Sequence, residues 1–312
     1  MLFAPNEIAL DKTSKVTETV RSGWEFQRPL ADREIMYTVE HNVLAVEERD
    51  NGKYLKAAEE LKVSTEVVKG TIQKNVERLA RESDVFRMTS FRVLNGLLNV
   101  EGRFLTQFEV GESKAVLDKK MRAFVEAKMF GFNMEEKVLD DLKESDITKE
   151  MINDNKATRP IYAYLSNDTN GIVMQHDTDL VGNLEFYGDV AIKFKKKSIE
   201  DRATVSFKDS LDTKMEVVPS PLKAPHFTSM GIPEGPLDGR PLKERIEDAG
   251  STSRPKWGEL YAEVQLHGQM TFEDVESIHV SKGDPGKVYV VREIFDRFKR
   301  SHPESKIRLV VY

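Results

Sequence analysis

The sequence contains no cysteine, so disulfide frameworks, thiolate-held zinc and a catalytic thiol are all excluded. Nor does any stretch approach the roughly 18 consecutive apolar residues that would cross a bilayer. The start, "MLFAPNEIALDKTSK", has no basic segment followed by an apolar one, so no conventional export signal and no membrane association are expected. The six histidines are dispersed, with no His-Glu-x-x-His or paired-His spacing, and no metal is expected. Walker-type glycine loops, a Gly-x-Ser-x-Gly elbow and a dinucleotide-binding βαβ unit are also missing. Any dinucleotide would therefore bind without a Rossmann fold.

What remains is a globular composition. A length of 312 residues allows two domains, and 39% hydrophobic with 8% aromatic residues is enough to fill ordinary cores. The net charge of −6 argues against a chain coated uniformly for nucleic acid or anionic lipid, so any basic surface must be local.

The character of the chain changes near residue 150. From about Lys53 to Phe130 apolar residues recur at helical spacing, whereas from Arg159 onward short runs rich in Val, Ile, Tyr and Phe alternate with Gly, Pro and Asp. The expected organisation is a helical region over 1–150 and a β-rich domain over 151–312. A long irregular stretch from Val218 to Lys256 holds seven of the twelve prolines and reads as a functional or disordered loop.

Within the helical front, residues 54–79 read as a helix-turn-helix-like unit. Tyr54, Ala57, Ala58 and Leu61 form one stripe, Val63 enters a turn, and Ser64 caps a second helix with Val68, Ile72, Val76 and Leu79 inward. Residues 51–100 carry nine Lys or Arg against six Asp or Glu. Outward Lys69, Gln73 and Lys74 are the candidates for nucleic-acid contact, with a solvated helical hairpin as the alternative. Further on, Phe104 and Phe108 read as a buried aromatic pair before a capped helix.

The back half offers an aromatic strand in "RPIYAYLSND", two strands over 186–194 and 202–207, a helix over 289–299 and a last strand in "KIRLVVY". The lysines from Lys193 to Lys197 read as a strand edge protected from further pairing. In "GELYAEVQLHGQMTFEDVESIHVS", period-two geometry puts Glu263, Gln265 and His267 on one face and Ala262, Val264 and Leu266 on the other. The first face is chemically equipped, and the second is apolar. Short strands with few helices between them indicate an α+β class with a mainly antiparallel sheet.

"YAEVQLHG" resembles the strand of mono-ADP-ribosyltransferases that carries their catalytic Glu. "GRFLTQFEVGES", "RPIYAYLSN", "YGDVAIKFK" and "DRATVSFKDS" follow in the order of phage-encoded, virion-associated members, and the resemblance covers roughly Gly102 to Val280. It implies a split-sheet transferase domain using NAD as substrate, with Glu263 catalytic. It also implies a first-strand Arg on the dinucleotide phosphates, matched here by Arg159. Tyr162 or Tyr187 would stack on nicotinamide, Ser206 or Ser210 would serve as the middle-strand Ser, and Gln265 and His267 would bind ribose or acceptor. Tyr261 stands two positions before Glu263, where the family places Glu or Gln to orient the acceptor, so the resemblance does not name the acceptor. The partners it implies are NAD and a host protein or nucleic acid. The implied setting is host cytoplasm or virion, with a toxin-like transferase as a variant of the same chemistry. A head-associated or DNA-binding protein that keeps the fold without activity is the alternative.

Overall fold

The computed structural model of the chain describes residues 30–109, 119–131, 142–153, 159–171, 188–207, 218–232, 241–248 and 262–312. Its centre is one eight-stranded, mostly antiparallel sheet. In chain order the strands are β1 (Asp84–Thr89), β2 (Ile161–Ser166), β3 (Val190–Phe194), β4 (Ala203–Ser206), β5 (Ser220–Pro221), β6 (Glu263–Leu266), β7 (Val275–Val280) and β8 (Arg308–Val311). Across the sheet they run β5-β4-β6-β2-β1-β3-β7-β8, and the β7–β8 pair is the parallel one.

Several expectations need correction. The region 1–150 is not purely helical, because β1 comes from it and lies in the middle of the sheet. Its "DVFRMT" is a short β-prone run between a helix end and the Ser90 cap, which helical periodicity on either side obscures. The lysines from 193 onward do not mark an edge: β3 lies between β1 and β7, and Lys193 pairs with Asp84 at 2.7 Å. The helical hairpin, finally, is larger than a helix-turn-helix unit.

That hairpin begins with α1 (Leu30–Leu61), 32 residues long, hence roughly 48 Å. Ile35, Val39, Val43, Val46, Asp50, Tyr54 and Ala57 recur at three- or four-residue intervals down one stripe, and all are buried. Successive parts of the stripe pack on different partners: Val125, Met129 and Phe130, then Val218, then the core of the second helix with Phe227, Met230, Leu242 and Ile246. The helix therefore acts as a spine. Lys62 takes a positive φ of 56° at the turn, and Ser64 caps α2 (Thr65–Glu82) by accepting from the Val67 amide. As the spacing predicts, Val68, Ile72, Val76 and Leu79 face inward.

The two faces of the sheet are covered differently. The apolar side, with Val85, Leu165, Ile192, Val205, Val264, Leu266 and Ile278, packs on α3 (Phe91–Asn95), its π-helical continuation Gly96–Val100, and a later helix, Pro285–Ser301. The other side receives α4 (Lys119–Phe130), whose Phe130 ring meets His267 edge-on at 4.8 Å. Phe104 and Phe108 are both buried but join different clusters, so they are not a pair.

One irregularity shapes the site. Only Asp84, Val85 and Phe86 of β1 pair with β2, whereas Phe86 to Thr89 pair with β3 and Ile161 to Tyr164 of β2 pair with β6. Beyond Phe86 the sheet therefore splits. Gly188 fits at that end because it lies against the Thr89 backbone, where a Cβ would overlap the Thr89 carbonyl.

Candidate functional site

The split leaves strand groups without ladder partners, and a side chain fills the gap. Arg87, on the diverging part of β1, donates from Nη1 to the Tyr162 carbonyl at 2.6 Å, with its guanidinium 5.7 Å from the Phe104 ring centre. The residue is half-buried, and its Nε is closed off from solvent without a hydrogen-bond acceptor. Burial, and then the charge of Arg122, pull its pKa down to about 10, so it stays cationic at neutral pH.

Arg122 comes from α4, and its guanidinium stacks 4.4 Å from the Tyr162 ring centre. It is buried, and its Nη1 also lacks an acceptor. Burial works against its charge, but Tyr162, Glu126 and Glu263 more than offset that, and its pKa is raised. One guanidinium therefore lies in the electrostatic reach of both Arg87 and Glu263.

One turn further on, Glu126 is fully buried. Its Oε1 accepts from the Tyr162 hydroxyl at 2.8 Å, and its Oε2 pairs with Arg159 Nη1 at 3.2 Å. Burial pushes the Glu126 carboxyl up, while Arg159, Arg122 and the Tyr162 hydrogen bond pull the other way without cancelling the rise. Arg159 also donates to the Met151 carbonyl at 2.9 Å and lies over the Phe108 ring at 4.9 Å. Its guanidinium is thus committed to the core. The first strand of the sheet is β1, and its arginine is Arg87.

On β6 the register sets Glu263 opposite Tyr164 on one side and Ser206 on the other, and Gln265 opposite Tyr162 and Thr204. Gln265 Nε2 donates to Glu263 Oε1 at 2.7 Å and to Ser206 Oγ at 3.2 Å. Its Oε1 accepts from Thr204 Oγ1 at 2.9 Å, and Thr204 in turn meets His267 Nε2 at 2.9 Å. All of these side chains are buried, so the strand is covered on both faces rather than half-exposed. The shared face predicted for Glu263, Gln265 and His267 is what the structure has, with Ser206 and Tyr162 beside them. Tyr162 has one ring face under Arg122 and its hydroxyl on Glu126, and burial holds its pKa well above the usual phenol range. Tyr187, Ser210 and Tyr261 lie outside the described residues.

The nucleic-acid candidates are differently placed. Lys69 pairs with Glu47 at 2.9 Å and lies over the rings of Tyr54 and Phe227. Gln73 accepts from the Phe227 amide and donates to the Pro225 carbonyl, so both residues bind the chain's own 225–227 segment. Lys74 is exposed. On the other half of the sheet face, Ser277 Oγ meets His279 Nε2 at 2.7 Å, and His279 Nδ1 meets Asn170 Oδ1 at 3.3 Å, within a buried cluster beside Phe86.

Sequence reasoning missed Arg87, Arg122, Glu126 and Thr204. Arg122, Glu126 and Phe130 fall at four-residue intervals on α4, so two charges share the stripe that an inward aromatic marks. Among the described residues no group of three or more His, Asp or Glu side chains is arranged to hold a metal ion, and no helix is long and apolar enough to cross a membrane.

A comparison of the chain with protein-family models and with curated proteins finds no match.

Proposed function

We propose that the chain is an NAD-dependent mono-ADP-ribosyltransferase acting on a macromolecule, with Glu263 as its reacting carboxylate. The observation that carries this reading is Arg122, a buried guanidinium stacked on Tyr162 whose charge is felt at Arg87 and which itself feels the Glu263 carboxylate. Two guanidinium groups that repel each other, each with a buried N–H lacking an acceptor, favour an anion that answers both. The two adjacent negative charges of a dinucleotide pyrophosphate have that character, and guanidinium forks match phosphate oxygens. The split between β1 and β2, and an arginine on the first strand of the sheet, also agree with the transferase resemblance. That role passes from Arg159 to Arg87.

The chemistry needs little else. In the reaction the bond from the ribose C1′ to the nicotinamide nitrogen breaks, nicotinamide leaves with the electron pair, and C1′ takes on oxocarbenium character. An acceptor nucleophile then bonds to C1′ and gives up its proton. Glu263 would hold the ribose 2′-hydroxyl by a charge-assisted hydrogen bond and stabilise the developing positive charge, an effect enlarged by the site's burial. Gln265 fixes one carboxylate oxygen. Tyr162 is the aromatic wall that Arg122 and Glu126 hold in place.

Calorimetric titration of the protein with NAD and with ADP tests the binding half of this reading. Both ligands should bind and compete, and Arg87→Met should weaken both by about tenfold or more, as expected for a lost charge-assisted contact. Equal affinity in the variant would remove Arg87 from the site. DNA binding through α2, the alternative reading, draws less support, because Lys69 is paired with Glu47 and Gln73 is bonded to the Phe227 amide and the Pro225 carbonyl.

A further inference from the structure

The hydrogen bonds around Glu263 have a direction, which follows from counting protons. An ionised carboxylate only accepts, so Gln265 must turn its amide nitrogen toward Glu263 Oε1. The Gln265 carbonyl then faces Thr204, whose hydroxyl must donate to it. A hydroxyl has one proton, so with that proton spent, Thr204 Oγ1 can only accept from His267 Nε2. His267 Nε2 must therefore carry a proton. A protonated Glu263 would permit the reverse order, in which every donor in the row turns round.

We propose that Thr204 and His267 are positioning residues for Glu263, forming with Gln265 a one-way hydrogen-bond row that fixes the carboxylate's orientation and keeps it ionised. The proposal rests on the reading of Glu263 as the reacting group. Register supplies the geometry: Thr204 stands opposite Gln265, and Ser206 stands opposite Glu263. His267 N–H donates to the Arg202 carbonyl just beyond β4, which fixes the backbone at the far end of the row. The His267 ring is held edge-on by Phe130, so the row ends on a ring that cannot turn without moving α4. Buried polar rows of this kind are worth most when every member is satisfied, and fail together when one is cut. Among the described residues, the charged and titratable groups near Glu263 include Arg122, with Glu126 behind it on α4, and Tyr162 and Tyr164 on β2, together with His267 in the same row. A change at Thr204 removes none of these groups, although it takes the acceptor from His267 Nε2.

The test uses the full chain. In ¹⁵N-histidine-labelled protein at neutral pH, His267 Nε2 is expected to carry a proton, and finding the proton on Nδ1 alone would overturn the proposal. In ¹³C-glutamate-labelled protein, Thr204→Val should raise the Glu263 titration midpoint by about one unit because Gln265 is then free to turn its oxygen toward the carboxylate. Thr204→Ser, which keeps the hydroxyl, should restore the wild-type midpoint. An unchanged midpoint in Thr204→Val would overturn the proposal, and if that variant fails to fold, the wild-type histidine measurement still decides. Nicotinamide release separates this from the parent reading. If the midpoint moves as expected but the wild type never consumes NAD, the row stands and the transferase reading falls. If NAD is consumed, the acid limb of the pH profile should follow the Glu263 midpoint across the variants with KM for NAD unchanged, and an acid limb fixed in Thr204→Val would overturn the row alone.

Discussion

Glu126→Gln is the most informative single change to stability, because it alters charge with almost no change in volume. In the wild type the carboxylate pairs with Arg159 at 3.2 Å, and both side chains are essentially closed to water. The variant removes the Glu126 charge from beside buried Arg159, and breaking one side of a buried pair typically costs about 3–5 kcal/mol. Two features favour the low end of that range. Arg159 keeps its bond to the Met151 carbonyl and its place over Phe108, and the new amide oxygen can still accept from the Tyr162 hydroxyl. The expected loss is therefore about 3 kcal/mol. Urea unfolding followed by circular dichroism should show the midpoint falling with the slope unchanged. A double change, Glu126→Leu with Arg159→Met, removes both charges and should recover most of the loss. A single variant within about 0.5 kcal/mol of wild type, or a double variant less stable than the single, would refute the account of this pair.

Other outcomes follow from buried rings and close contacts elsewhere in the fold. Burial first, and then the charges of Lys193 and Arg308, hold His279 at about 4, and burial likewise holds His226 at about 4. The unfolded chain protonates these rings near their ordinary value while the fold resists, so stability should be full above roughly pH 6.5 and fall as pH drops toward 4. His279→Gln should reduce the stability lost between about pH 6.5 and 4 by about 2 kcal/mol, less than the full worth of the shift because solvent screens part of it, and an unaltered pH profile would contradict the burial argument. Lys196 donates from Nζ to the carbonyls of Ala80, Arg81 and Ser83 at the end of α2, tying the hairpin to the sheet. Lys196→Met should cost about 1–3 kcal/mol in thermal or urea unfolding, and no loss would show that solvent satisfies those carbonyls. Gly188→Ala forces a methyl into the Thr89 carbonyl and should cost about 3 kcal/mol or more, whereas wild-type stability would mean that this approach relaxes freely.

Much of the fold was legible where the periodicity was clean. The Tyr54–Ala57–Ala58 stripe, the Ser64 cap, the inward face of α2 and the alternation along β6 all follow from spacing, because one buried face decides each of them. The location of β1 was not legible. Six residues between two capped helices carry too few repeats to display a period, and their pairing partners lie more than 70 residues away. The site divided in the same way. Glu263, Gln265 and His267 share a face because strand geometry requires it, whereas the proposed exchange of Arg159 for Arg87 depends on which strand comes first in the sheet. Arg159 reads as a phosphate ligand only until Glu126, 33 residues earlier, is brought against it. Sequence spacing does not encode that meeting. It arises when α4 packs on the sheet, bringing Glu126 to Tyr162 and Phe130 to His267.

The central claim is that Glu263 reacts with NAD held at Arg87 and Arg122. Its most direct test is nicotinamide release from NAD, with transfer of labelled ADP-ribose to lysate proteins and nucleic acids, by wild type and by Glu263→Gln matched for folding by circular dichroism. The account predicts release by the wild type and a loss of about a hundredfold or more in the variant, the scale expected when transition-state charge stabilisation is removed. No consumption of NAD by the wild type with both acceptor classes supplied, or equal release by the two proteins, would contradict it.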